Sequence, residues 1–148
     1  MKPVVDNVLQ GCFATLLMEV APHLGAEYSV GDVSVMGLML FMSAEEYDRA
    51  AEVRTEDNSE MRSIFAEAAS QIEDAELRRR LGDASDMRDT SLRISALDKI
   101  NDALKALLID LQTYLEGQSG DWAAHMERRI WKHLSASAER RKLPHPAM

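Results

Sequence analysis

With one cysteine, few aromatics (5%) and fewer basic than acidic side chains, the 148-residue chain rules out several protein classes at once. A lone Cys12 cannot form an intrachain disulfide or a multi-cysteine metal site, and it suits a reducing, cytoplasmic setting. Cys12 falls among Val8, Leu9, Phe13, Leu16 and Leu17, so it reads as a small packed hydrophobe. The 17 Lys and Arg are outnumbered by 25 Asp and Glu, a net charge of −8. No general attraction to nucleic acid or to an anionic membrane surface is therefore expected.

Long apolar runs are missing too. The best candidate, Val33 to Met42, is broken by Ser34 and Gly37 and is about half the length that crosses a bilayer. Leu9-Gln10-Gly11-Cys12 imitates a lipoprotein cleavage site, but no apolar core of the required length precedes it. These readings place the chain in solution, without membrane or nucleic-acid partners.

Catalytic and metal motifs are absent as well. There is no Glu-x-x-His of the kind a carboxylate-bridged di-iron bundle repeats, and no His-Glu-x-x-His for zinc. Neither Gly-x-Ser-x-Gly nor a glycine-rich nucleotide loop occurs. No metal, cofactor or catalytic residue is assigned, and the noncatalytic reading leads.

What is present is helical spacing. Leu97, Ile100, Leu104, Leu107, Leu111 and Tyr114 recur in steps of three and four, the interval that keeps one helix face turned toward a partner. Ile94, Ala103, Ala106, Leu108, Ile109 and Leu115 widen that seam. In 103–109 only Lys105 is polar, which predicts a helix wrapped on more than one side.

A first helix is expected from Pro3, ended or bent by Pro22. Ala26 to Ser29 read as a connection. A buried segment follows to Met42, and Ser43-Ala44-Glu45-Glu46 has capping-box character. One helix over about 30–54, or two meeting at Ser43, fits equally. Thr55 to Ser59 reads as a polar break, and Met61, Ile64, Phe65, Ala68 and Ile72 as an amphipathic stripe. Glu73 to Leu81 is a short helix stopped by Gly82; Asp83, Ser85 and Asp86 offer caps for the long helix to Glu116. Gly117 to Gly120 make a turn, and Asp121 caps a last helix ending before Pro144. The fold expected is all-α: an antiparallel bundle of five to six helices, its long central helix near 86–116. It forms a single domain over 1–148, with 143–148 a short tail.

Functional candidates are weighed against plain packing. Met36, Met39 and Met42 recur every third residue, a pattern that usually fills irregular core gaps but also lines adaptable grooves. An apolar ligand pocket would draw on Met36, Met39, Phe41 and His133. Trp131 lies off the Trp122–Leu134 stripe, where it can cover a neighbouring helix or anchor a subunit. Leu104, Leu107, Leu108 and Trp131 are thus the candidate interface of a homodimer. A dispersed enzyme site would use Glu19, His23 and His133, recognisable if a histidine and a carboxylate met in one cleft. The runs Arg78-Arg79-Arg80, Arg128-Arg129 and Arg140-Arg141-Lys142 read as solvated cations, the first and last near helix C-termini. The leading expectation is a noncatalytic, cytoplasmic bundle acting through a protein–protein interface, ahead of a small-molecule binder and an enzyme.

Overall fold

The computed structural model describes residues 4–25 and 27–143, with the side chains of Glu27 and Tyr28 not described. Five α-helices account for most of the described chain: α1 (Val5–Thr15), α2 (Glu27–Ala69), α3 (Ala75–Asp86), α4 (Ile94–Glu116) and α5 (Asp121–Arg141). No strand occurs among the described residues. The all-α expectation holds. The expected start at Pro3, the residue Ala26 of the connection and the tail beyond Leu143 lie outside the described residues.

The described residues form two compact units, one of residues up to Ala50 with Leu143, the other of Ala51–Lys142. In the first, α1 widens into a π turn at Leu16–Val20, then tightens into a 3-10 turn at Ala21–His23. Pro22 is the cause, since a proline ring clashes with the carbonyl four residues earlier and has no N–H to donate. The N–H of Ala21 instead reaches back five residues to the carbonyl of Leu16. The first part of α2 then folds back along α1. Phe13 meets Phe41 with ring centroids 5.4 Å apart. Gly37 lets the helices approach: a Cβ there would sit 3.3 Å from Cδ2 of Phe13 and 3.7 Å from Cγ of Leu17.

The second unit is an up-down-up-down four-helix bundle. Contacts from Arg54 to Asp98, Asn58 to Asn101 and Glu73 to Tyr114 rise together, so α2 and α4 run parallel. Contacts from Asp57, Glu60 and Glu67 to Arg140, His133 and Arg129 fall, so α5 runs antiparallel to α2. Inside lie Met61, Ile64 and Phe65 of α2, Leu77 and Leu81 of α3, Leu104, Leu107, Leu108, Leu111 and Leu115 of α4, and Met126 and Ile130 of α5. Each such side chain contributes about 1.5–3 kcal/mol when fully buried. Asp74 caps α3, its carboxylate accepting from the N–H of Leu77 at 2.7 Å.

Several boundaries differ from expectation. The longest helix is α2, which runs through both Ser43 and Thr55–Ser59. The hydroxyl of Ser43 donates to the carbonyl of Met39 inside the helix, at 2.7 Å, instead of capping a new one. The polar run at 55–59 is no break because Asp57 and Asn58 are buried and find polar partners on α4, α5 and the segment after α3. Helix α4 starts at Ile94, not near 86. Gly82 lies within α3, which continues to Asp86; residues 87–93 then leave helical geometry. In that segment Asp89 turns inward to Arg62 (2.6 Å) and Asn58 (3.2 Å). Finally, α4 is buried on one side only: Ala103, Ala106 and Ile109 face solvent.

Candidate functional site

Along α2 of the second unit, carboxylates recur at Asp57, Glu60 and Glu67, on the side that faces α5. Helix α5 answers with His125, Arg129, His133, Ser137 and Arg140 in steps of four and three, followed directly by Arg141. Both sets follow helical periodicity, so the antiparallel pairing brings each acid opposite a base.

Asp57 anchors one end. Its side chain is 1% exposed and accepts from Arg140 at 2.8 Å, Arg141 at 2.6 Å and Ser137 at 2.8 Å. Burial pushes its carboxyl up, but the hydrogen bonds from Arg140, Ser137 and Arg141 outweigh burial and hold it below the ordinary value. Arg140 also binds Glu60 at 2.7 Å. That bond, with a smaller contribution from His133, keeps Glu60 below its ordinary value, and Glu60 in turn raises Arg140. On the neighbouring face of α2, Arg62 grips Asp89 with two hydrogen bonds and holds it low. Asn58 links that pair to the buried Asn101.

Between α2 and α5 a cleft of about 180 Å³ opens, lined by Glu60, Ser63, Ile64, Arg129, Lys132, His133 and Ala136. His133 is only 7% exposed, and its Nδ1 lies 2.7 Å from Oε2 of Glu60. An ionised carboxylate can only accept, so Nδ1 carries the proton and Nε2 is left free for another partner. Arg129 is held by Glu67 at 2.9 Å and donates to the hydroxyl of Ser63 at 2.8 Å. His125 reaches the same Glu67 at 3.0 Å. A larger opening of about 520 Å³, which shares Ser63 with this cleft, is bordered by Thr55, Ser59, Arg62, Arg88 and Asp89. Among the described residues no group of three or more His, Cys, Asp or Glu side chains could hold a metal ion.

The residues singled out from sequence separate. Met36, Met39 and Phe41 belong to the first unit, where both methionines are exposed and Phe41 is half-buried against Phe13. His133 belongs to the second, and none of the other three lines either cleft there. Leu104, Leu107 and Leu108 are consumed by the core of their own bundle, whereas Trp131 stays 63% exposed. A histidine and a carboxylate do meet in one cleft, but the carboxylate is Glu60, not Glu19. Sequence reasoning missed Asp57 and Glu60 and took Arg140 and Arg141 for a solvated helix end. The available signal was the run Glu56, Asp57 and Glu60, acids at helical spacing directly beside the apolar stripe that begins at Met61.

No protein-family model, no curated protein and no solved structure matches the chain. The class is defined by architecture alone, an α-helical hairpin unit and an up-down-up-down four-helix unit with a polar cleft.

Proposed function

We propose that this protein is a noncatalytic association protein that pairs with a second copy of itself through the hairpin of residues 4–50. The observation behind this is the surface of that unit. Val4, Val8, Met18, Val35, Met36 and Met39 are all more than half exposed, and α1 has no buried residue at all. Apolar side chains left exposed in such number on one small unit mark association sites.

A second copy is the occupant that fits. Residues 7–18 and 33–44 carry no charge, so each helix of the hairpin offers an uncharged stretch of about 18 Å at 1.5 Å per residue. Two helices share only one seam, and their remaining apolar flanks need cover. Two hairpins together make four helices around a common core. Seven carboxylates against the single Arg49 in residues 4–50 disfavour an anionic lipid or nucleic-acid partner. No helix among the described residues is long and apolar enough to cross a membrane. The exposed free thiol of Cys12 fits a reducing, cytoplasmic compartment.

Native mass spectrometry with light scattering tests this. A dimer is expected, and Val8→Glu with Met39→Glu should convert it to monomer while leaving helical circular dichroism intact. A wild-type monomer throughout the concentration range, or a double variant that stays dimeric, overturns the proposal.

A further inference from the structure

We infer that the cleft between α2 and α5 binds a small oxyanion that carries a proton, of the phosphate class, with Lys132 supplying charge and Nε2 of His133 accepting its hydrogen bond. This site lies in the four-helix unit and does not depend on self-association of the hairpin.

Three observations converge. First, His133 is more than nine-tenths buried and lines the cleft, yet its Nε2 has no hydrogen-bond partner among the described residues. Nor is Nε2 among the polar atoms sealed away from solvent. Buried polar groups are almost always paired, so a buried imidazole with one nitrogen turned to an open cleft is a place for a ligand. Second, Glu60 fixes which nitrogen is free. Because Arg140 binds the same carboxylate, it stays an acceptor for Nδ1–H, and in the neutral form of the ring Nε2 then presents a lone pair. Third, Lys132 lines the same cleft with no ion-pair partner among the described residues, while the neighbouring Arg129 is already neutralised by Glu67.

The ligand chemistry follows from these two free groups. A partner for Lys132 must be negative, and a partner for the Nε2 lone pair must bring a proton. Hydrogen phosphate or a singly protonated phosphomonoester does both. Sulfate brings charge without the proton, and a metal ion would face the cationic Lys132 with one imidazole to hold it. At about 180 Å³ the cleft falls below the roughly 300–1,000 Å³ of pockets for drug-sized ligands. It has room for a five-atom anion and a few waters.

The test is an NMR titration of the full-length protein near neutral pH at constant ionic strength, using inorganic phosphate, sulfate and glycerol phosphate as probes. Phosphate should shift the His133 imidazole nitrogens and the amides around Glu60–Ile64 and Arg129–Ala136 saturably. Sulfate should bind at least roughly tenfold more weakly, the cost of leaving one hydrogen bond to a buried group unmade. Lys132→Met, at an exposed position that leaves the core untouched, should weaken phosphate binding severalfold without changing the amide spectrum elsewhere. Saturation by phosphate alone identifies the free ion as the ligand, and saturation by glycerol phosphate as well extends the site to phosphomonoesters. Phosphate shifts that fail to saturate, that sulfate reproduces in full, or that Lys132→Met leaves unchanged overturn the inference.

Discussion

Removing the carboxylate of Asp57 leaves Arg140 and Arg141 without a shared acceptor in the least exposed part of the α2–α5 network. Breaking a buried pair from one side is costly, and partial exposure of both arginines puts this case at the lower end, about 3 kcal/mol. Urea unfolding of Asp57→Asn should show that loss. The same residues set the acid limb of stability. Asp57, Glu60 and Asp89 all sit below their ordinary 3.8, 4.5 and 3.8 in the folded chain. The unfolded chain therefore binds more protons in acid, so stability rises with pH. The contribution is complete above about pH 5 and is lost as pH falls through the folded values. Denaturation midpoints measured from pH 6 downward should fall toward acid in the wild type, and fall less steeply in Asp57→Asn. An unchanged acid limb in the variant would show that Asp57 is not among its sources.

Two glycines in the second unit make opposite predictions at the level of single elements. Gly120 is the N-cap of α5 with φ 118° and ψ 172°, a region essentially closed to side chains. Gly120→Ala should destabilise by about 1–3 kcal/mol through that strain. Gly82 lies inside α3, and a Cβ there meets nothing within 4 Å. Gly82→Ala should instead stabilise, by up to about 1 kcal/mol of helix propensity. Thermal unfolding of the two variants side by side reads the contrast, and equal signs would refute the backbone argument. The lesson for helix punctuation is physical. Gly82 reads as a stop from sequence, yet helix α3 continues past it to Asp86. Gly120 lies in a turn recognised from Gly117 to Gly120, and there the backbone does require a glycine.

For the molecule as a whole, the two units differ in how much apolar surface they enclose. The four-helix unit seals Phe65, Met61, Leu81, Leu97, Leu111 and Met126 almost completely, whereas α1 buries nothing. Hydrogen exchange should accordingly be slowest at Leu104–Leu111 and fastest at Val5–Thr15. If the hairpin is the self-association surface, exchange in α1 slows as protein concentration rises while that of α4 stays constant. Uniform exchange along the chain would contradict this difference in burial.

Much of the helical architecture was legible because periodicity is local. The spacing of Leu97, Leu104, Leu107, Leu111 and Leu115 marks the buried side of α4 correctly, and Pro22 marks where α1 loses regular geometry. The sequence by itself determined the all-α character and the inward stripe of α4, since both follow from 3.6-residue repetition, whereas the segment expected to be buried up to Met42 leaves Val35, Met36, Met39 and Met42 exposed. Only the tertiary structure decided the fate of the polar residues. Thr55–Ser59 resembles a loop until Arg140 and Arg141, some 80 residues further along, approach Asp57 and make its burial affordable. Glu60, His133 and Lys132 likewise become a cleft only when α5 folds back antiparallel along α2. A buried charge is stable only beside its partner, and distance along the chain carries no record of which partner that will be.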